Sequence, residues 1–308
     1  MRDPAYRSFC RLIAFDVLSK VCYSPCIHII YNNSIAEAVL EQERQIKQKV
    51  GIGMRGYRGR YRGRSTKHFK IIVGMFALLI AVLSAACVVY VQDFYRADET
   101  ALEAMVSDRQ VTVNRFERSV VFLPEEPACG VIFYPGGKVE HTAYAPLMRK
   151  LAENGVLCVV PEMPGNLAVL NHKAASGIPE QYPEIAEWYL AGHSLGGSMA
   201  AVFAADHAEN YEGLILLAAY STADLRESGL RVLSIYGSED GVLDFERYNN
   251  NRSNLPDATR EILLDGGNHA CFGSYGLQTG DGASLISQEK QMEETAEEIL
   301  AFLSNRTN

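Results

Sequence analysis

The 308-residue chain is short of the patterns that announce metal or redox chemistry. Its seven cysteines (Cys10, Cys22, Cys26, Cys87, Cys129, Cys158 and Cys271) form no CxxC pair and share no spacing with histidines, so neither a zinc site nor a disulfide framework is indicated. Positive charge is also in deficit: 29 Lys+Arg face 37 Asp+Glu, a net charge of −8, which gives no general attraction to nucleic-acid phosphates. Charge of either sign is missing altogether between Lys70 and Asp93. What remains is 48% hydrophobic and 21% charged, enough to bury the core of one or two domains and unlike a disordered tail.

The charge is unevenly spread. Residues 1–70 carry 14 Lys+Arg against 5 Asp+Glu, and residues 71–308 carry 15 against 32, so a basic head precedes an acidic body. Between them, residues 71–91 read IIVGMFALLIAVLSAACVVYV. As a helix this stretch is about 32 Å long, sufficient for one transmembrane crossing. Arg55, Arg58, Arg60, Arg62, Arg64, Lys67 and Lys70 precede it, whereas Asp93, Asp98, Glu99 and Glu103 follow. The positive-inside rule then predicts a single-pass cell-membrane protein with residues 1–70 cytoplasmic and the body extracytoplasmic. A cleaved signal peptide, or a lipoprotein signal ending at Cys87, exports the body equally; the apolar run continues past Cys87, which favours an uncleaved anchor. Residues 1–53 stand apart from the rest. Translation starting at Met54 and a cytoplasmic extension with a short helix over 35–49 both fit them. The Arg-Gly-Tyr-Arg repeats of 55–64 are explained by their place beside the span, without a nucleic-acid partner.

After a linker over 92–110, residues 111–308 alternate short apolar strands with helical stretches. Strands are predicted at 119–123, 129–134, 156–160, 188–191, 213–217, 231–236 and 260–264. Helices are predicted at 144–154, near 167–176, at 197–207 and at 288–303. Buried strands alternating with helices define an α/β fold: a mostly parallel sheet covered on both faces, here preceded by one transmembrane helix.

Ala191-Gly192-His193-Ser194-Leu195-Gly196-Gly197 is a G-x-S-x-G between a predicted strand and a helix of small residues. A serine at so sharp a turn needs near-absent side chains two residues to either side, a requirement that Gly192 and Gly196 meet. The helix beginning near Leu195 offers backbone N–H groups to a developing oxyanion. A serine hydroxyl is a poor nucleophile without a base, so a histidine and an orienting carboxylate are needed after later strands. Asp240 directly follows RVLSIY in YGSEDG, and His269 directly follows EILL in DGGNHA. Glu239 is the alternative acid.

Residues 117–304 resemble an α/β-hydrolase of the compact, lidless, dienelactone-hydrolase-like branch, through FYPGGKVE, AGHSLGGSMAA, YGSEDGV and GGNHACFGSYG in that order. The resemblance implies Ser194 as nucleophile, His269 as base then acid, and Asp240 as the group fixing the imidazole tautomer. It implies oxyanion donors at Leu195 and in Pro135-Gly136-Gly137, at Gly137 for choice. Pro135 stands where many members have histidine, and Ser194 where dienelactone hydrolases have cysteine. The expectation is therefore a serine esterase cleaving small carboxylic esters through an acyl-enzyme, with no metal or organic cofactor. Only about a dozen residues, 218–230, separate two strands where many lipases insert a lid, which also favours a small acyl substrate. An acyltransferase on the same fold, and a catalytically silent surface-displayed binding protein, remain the alternatives. His193 is expected to pack beneath the turn, His141, His172 and His207 to lie at the surface, Cys271 to be a bystander, and Glu162 either to border the site or to be a solvated loop carboxylate.

Overall fold

The structure, a computed structural model, describes residues 65–305, so residues 1–64, with the Met54 start and the 35–49 helix, lie outside the described residues. The chain divides into two units, with the boundary between Leu79 and Ile80. Helix α1, Ser65–Gln92, runs across the division. Within its segment His68–Gln92, an 18-residue stretch has a mean hydropathy of 2.8 and none of that stretch is buried. By length and composition it is able to cross a membrane, and among the described residues no other helix is.

The second unit is built on eight strands: β1 (Val111–Phe116), β2 (Ser119–Pro124), β3 (Cys129–Tyr134), β4 (Val156–Pro161), β5 (Trp188–His193), β6 (Gly213–Leu217), β7 (Arg231–Gly237) and β8 (Arg260–Leu264). Their order in the sheet is β1-β2-β4-β3-β5-β6-β7-β8. From β4 to β8 every pairing is parallel; β1 and β2 form an antiparallel hairpin on the β4 edge. The alternation of side chains along β3 divides the core. Val131 and Phe133 join one buried cluster, Ile132 and Tyr134 the other.

Helix α3 (Ala145–Ala152) lays Leu147, Met148 and Leu151 on the first face, beside α6 (Gln288–Ser304). Helix α6 is amphipathic: Met292, Ala296, Ile299 and Leu303 recur at helical spacing and are buried, and Ser287 caps it by accepting from the Lys290 N–H. On the second face lies α4 (Leu195–Asp206), whose buried Ala200, Ala201 and Ala204 bring it close to the strands.

Four elements differ from the sequence expectation. No α-helix forms near 167–176; short 3₁₀ turns replace it at Pro164–Asn166 and Ala168–Leu170, because Gly165 and Asn166 adopt positive φ and break the helical path. Strand β1 carries no clear strand signal in the sequence, because Asn114, Arg115 and the exposed Phe116 hide its alternation. Helix α5 (Phe245–Asn251, FERYNNN) lacks an apolar period and is started by its cap, Asp244, which accepts from the Arg247 N–H. The stretch expected as a linker holds α2 (Glu99–Ala104), capped by Asp98, and Tyr95 forms an isolated bridge with Val139.

Candidate active site

Ser194 stands between β5 and α4 with φ 52° and ψ −126°, a conformation a non-glycine residue holds only when its surroundings compel it. The neighbours do compel it. A Cβ on Gly192 would lie 2.6 Å from the Gly197 nitrogen, and one on Gly196 would strike the Tyr134 and Pro135 carbonyl oxygens. Gly197, which the motif alone did not single out, is equally restricted: its Cβ would lie 2.6 Å from that of Ala219. Among the described residues, the other non-glycine positions at positive φ are Lys138, Asn166 and Ala218, after β3, β4 and β6. The strain is thus gathered along the carboxyl edge of the sheet, where parallel α/β sheets bind ligands.

Ser194, Leu195 and His269 line one cavity of about 350 Å³, together with Ser198, Met199, Ala218, Ala219, Tyr220, Thr222, Val242, Leu243 and Asp244. His269 and Asp240 are both buried, and His269 Nδ1 lies 2.8 Å from Asp240 Oδ2. Asp240 Oδ1 accepts from the Val242 and Leu243 N–H groups at 2.9 and 2.7 Å, so both carboxylate oxygens are hydrogen-bonded and the orientation of the group is fixed. It is Asp240, not Glu239, that meets the imidazole; Glu239 accepts from its neighbour Ser238. His269 Nε2 is buried with no hydrogen-bond partner among the described residues, Ser194 Oγ included. The two therefore share a cavity without a hydrogen bond between them, a separation common before substrate binds.

The Pro135-Gly136-Gly137 turn follows β3 and packs on the elbow: a Cβ on Gly137 would lie 3.0 Å from Leu195 Cδ2. Gly136 donates its N–H to the Tyr144 hydroxyl at 2.9 Å. No such bond occupies the Gly137 N–H among the described residues. Leu195 opens α4, so its N–H lacks an intrahelical acceptor. Beneath the turn, the Tyr144 hydroxyl lies 2.8 Å from His193 Nδ1. With Gly136 donating to that oxygen, the phenolic proton is available to His193 Nδ1, and burial pushes the Tyr144 pKa up, keeping the proton in place. His193 is buried as expected; burial, then the proximity of His269, holds its pKa well below the usual imidazole range. Its ring centroid is 4.4 Å from that of His269, so a neutral His193 forms the floor on which the His269 ring rests.

Asp281 gave no signal in the sequence, lying in a Gly-rich loop just past the GGNHACFGSYG stretch and outside every motif. Its carboxylate accepts from Gly241 N at 3.1 Å, His269 N at 3.2 Å, Ala270 N at 2.8 Å and Gly282 N at 2.9 Å. One side chain thereby ties the loop after β7 to the loop after β8. Asn268 completes the brace, exchanging hydrogen bonds with Gln291 of α6 and donating to the Gly282 carbonyl.

The remaining candidates fall outside the cavity. Cys271 is half-buried, with its thiol pKa raised by burial. Glu162 is exposed, as a solvated loop carboxylate should be. His141, His172 and His207 are half-buried rather than surface residues. Burial lowers the His141 pKa, and His207 stacks on Phe203 at 4.2 Å. Residues 218–230, between β6 and β7, contain no helix, and four of them, Ala218, Ala219, Tyr220 and Thr222, line the cavity directly.

Residues 130–293 match the model of the alpha/beta hydrolase family, and the chain belongs to that family. Among solved structures it is similar to Est1E from Butyrivibrio proteoclasticus, at 15% identity and a TM-score of 0.46 over 64% of this chain and 100% of that one. It is similar also to a dienelactone hydrolase from Anabaena variabilis, at 12% identity and 0.46 over 63% and 99%. A predicted CIB-like hydrolase from Thermoplasma acidophilum matches at 15% identity and 0.47 over 64% and 98%. No curated protein matches the chain in sequence.

Removing the Asp281 carboxylate leaves the N–H groups of Gly241, His269, Ala270 and Gly282 without that acceptor, at about 1–3 kcal/mol for each that stays buried. Asp281→Ala is expected to speed amide hydrogen exchange at Gly241, His269 and Ala270 by at least tenfold while leaving β3 and β5 protected. Unchanged exchange at those three amides would show that the brace is unnecessary.

Proposed function

We propose that residues 111–308 form a serine esterase that moves a small acyl group from a carboxylic ester to water, held at the cell membrane by residues 71–91 with the domain on the extracytoplasmic side. The observation that carries this reading is the buried Asp240–His269 hydrogen bond in the wall of the cavity that contains Ser194.

Asp240 fixes the His269 tautomer with the proton on Nδ1 and the lone pair on Nε2. As Ser194 Oγ attacks the ester carbonyl carbon, its proton passes to Nε2 and the carbonyl becomes an oxyanion, which the Gly137 and Leu195 N–H groups receive. Collapse of that intermediate breaks the bond to the leaving oxygen, which takes the proton from Nε2. The acyl group then sits on Ser194. Water attacks it in a second, equivalent cycle, giving its proton to Nε2, and the acid leaves as Oγ is reprotonated. Stabilising the imidazolium is the task of Asp240; a buried carboxylate with no cation beside it gains most when that charge develops.

Leu195, Met199, Ala218, Ala219, Val242 and Leu243 give the cavity mostly apolar walls suited to a short acyl chain, and at about 350 Å³ it sits at the small end of ligand sites. An acyl group of a few carbons fits such a volume better than a long one.

Ser194→Ala is expected to abolish labelling by a fluorophosphonate probe while leaving the circular dichroism spectrum unchanged; labelling that persists would take the nucleophile's role away from Ser194. Among p-nitrophenyl esters, the acetate is expected to turn over at least tenfold faster than the palmitate, and the opposite ranking would contradict a small acyl site.

A further inference from the structure

The segment that follows α1 is stitched into the surroundings of the cavity. Tyr95 donates its N–H to the Lys138 carbonyl at 2.7 Å and accepts from the Glu140 N–H at 2.9 Å. Its hydroxyl accepts from the Thr279 N–H at 3.1 Å, on the loop that carries Asp281, and its ring lies 5.6 Å from that of Tyr275. Lys138, one residue beyond Gly137, pairs with Asp93 at 2.7 Å and lies 4.7 Å over the Tyr90 ring. Only two residues, Asp93 and Phe94, separate Gln92, the end of α1, from the bonded Tyr95, a reach of at most about 11 Å. The end of α1 is thus tied, without slack, to the carboxyl edge of the sheet on which Ser194 and His269 sit.

That edge also carries apolar side chains with nothing over them. Leu277 is 90% exposed, two residues from Thr279. Val169 and Leu170 are 54% and 61% exposed, three and four residues beyond Asn166, whose carbonyl accepts from the Lys138 N–H at 2.7 Å. Side chains like these cost free energy in water and gain it at a lipid interface.

We propose that the carboxyl edge of the sheet lies against the surface of the bilayer that α1 crosses, and that the ester delivered to Ser194 is a small acyl group on a membrane-borne amphiphile. The proposal deepens the esterase reading and rests on it and on α1 as a membrane span. It reconciles a small cavity with a membrane protein: the short acyl chain enters the cavity while the amphiphilic remainder stays in the lipid. The tether explains why no lid is needed to recruit such a substrate, since an attachment of about 11 Å holds the opening at the interface permanently.

The test uses the full chain reconstituted in phosphatidylcholine vesicles, with hexadecyl acetate dissolved in the bilayer and p-nitrophenyl acetate in the water. A sixteen-residue Gly/Ser insertion between Gln92 and Asp93 adds slack of about 22 Å. It is expected to lower hydrolysis of hexadecyl acetate at least fivefold and to leave p-nitrophenyl acetate hydrolysis unchanged; equal effects on the two esters, or none on the first, overturn the substrate assignment. The chain has one tryptophan, the buried Trp188, so a second is a usable reporter. Leu277→Trp is expected to be quenched by brominated phosphatidylcholine, and Asn154→Trp, just before the amino end of β4, to be unaffected. A Leu277→Trp signal that is not quenched overturns the membrane-facing edge whatever the rates do. Failure of the parent reading looks different: a chain that hydrolyses neither ester and takes no fluorophosphonate is not an esterase, and its substrate assignment falls with it, while the quenching still reports where the edge lies.

Discussion

The buried hydrogen bond between Asp240 and His269 governs the arrangement of the whole site. A carboxylate taken out of water at this depth costs several kcal/mol unless it is hydrogen-bonded, and here the Val242 and Leu243 N–H groups and the imidazole supply three such bonds. The same bond fixes which ring nitrogen of His269 carries the proton, and so leaves Nε2 as the basic one. Much of the surrounding structure serves to keep these two loops in register. Asp281 clamps both from below, Asn268 and Gln291 tie the histidine loop to α6, and the uncharged His193 ring supports the imidazole without competing for its proton. The His193 ring is in turn held by Tyr144, which binds the Gly136 N–H. A continuous run of contacts therefore links the turn that presents the Gly137 N–H to the imidazole across the cavity.

Strain and packing complement this bond at Ser194. Positive φ at a serine is held by glycines at 192, 196 and 197 that let β5, α4 and the turn after β3 approach within backbone contact. Those close approaches are the reason α4 is made of small residues. They also explain why the structure spends its unusual backbone conformations on one edge and keeps the β4 to β8 strands regular.

The central part of this arrangement was legible in the sequence because each piece combines a local signal with a place at a strand end. The glycines around Ser194, the order Ser194, Asp240, His269, and the strands at 129–134, 213–217 and 260–264 all carried such signals. The split of the sheet into two buried faces followed from strands with no polar alternation. Less visible were features whose cause is tertiary. Strand β1 is an exposed edge strand with a broken pattern, α5 is defined by its Asp244 cap, and the expected helix near 167–176 gives way to turns at Gly165 and Asn166. Asp281 was invisible because a carboxylate that acts through backbone N–H groups has no required neighbours in sequence. The attachment of Tyr95 to Lys138 and Glu140, 43 and 45 residues away along the chain, was hidden for the same reason. The basic residues before 65 are read from sequence alone, since they lie outside the described residues.

The esterase account stands or falls on whether the Asp240 carboxylate sets the protonation of His269, and Asp240→Asn measures this most directly. The amide preserves size and burial but is free to offer an N–H to Nδ1, which would put the ring proton on Nε2 and remove the base. With p-nitrophenyl acetate as substrate, the account predicts a loss in kcat of roughly 10³- to 10⁴-fold, little change in KM and a melting temperature within a few degrees of the parent. A variant that keeps kcat within about threefold while folding normally would contradict it.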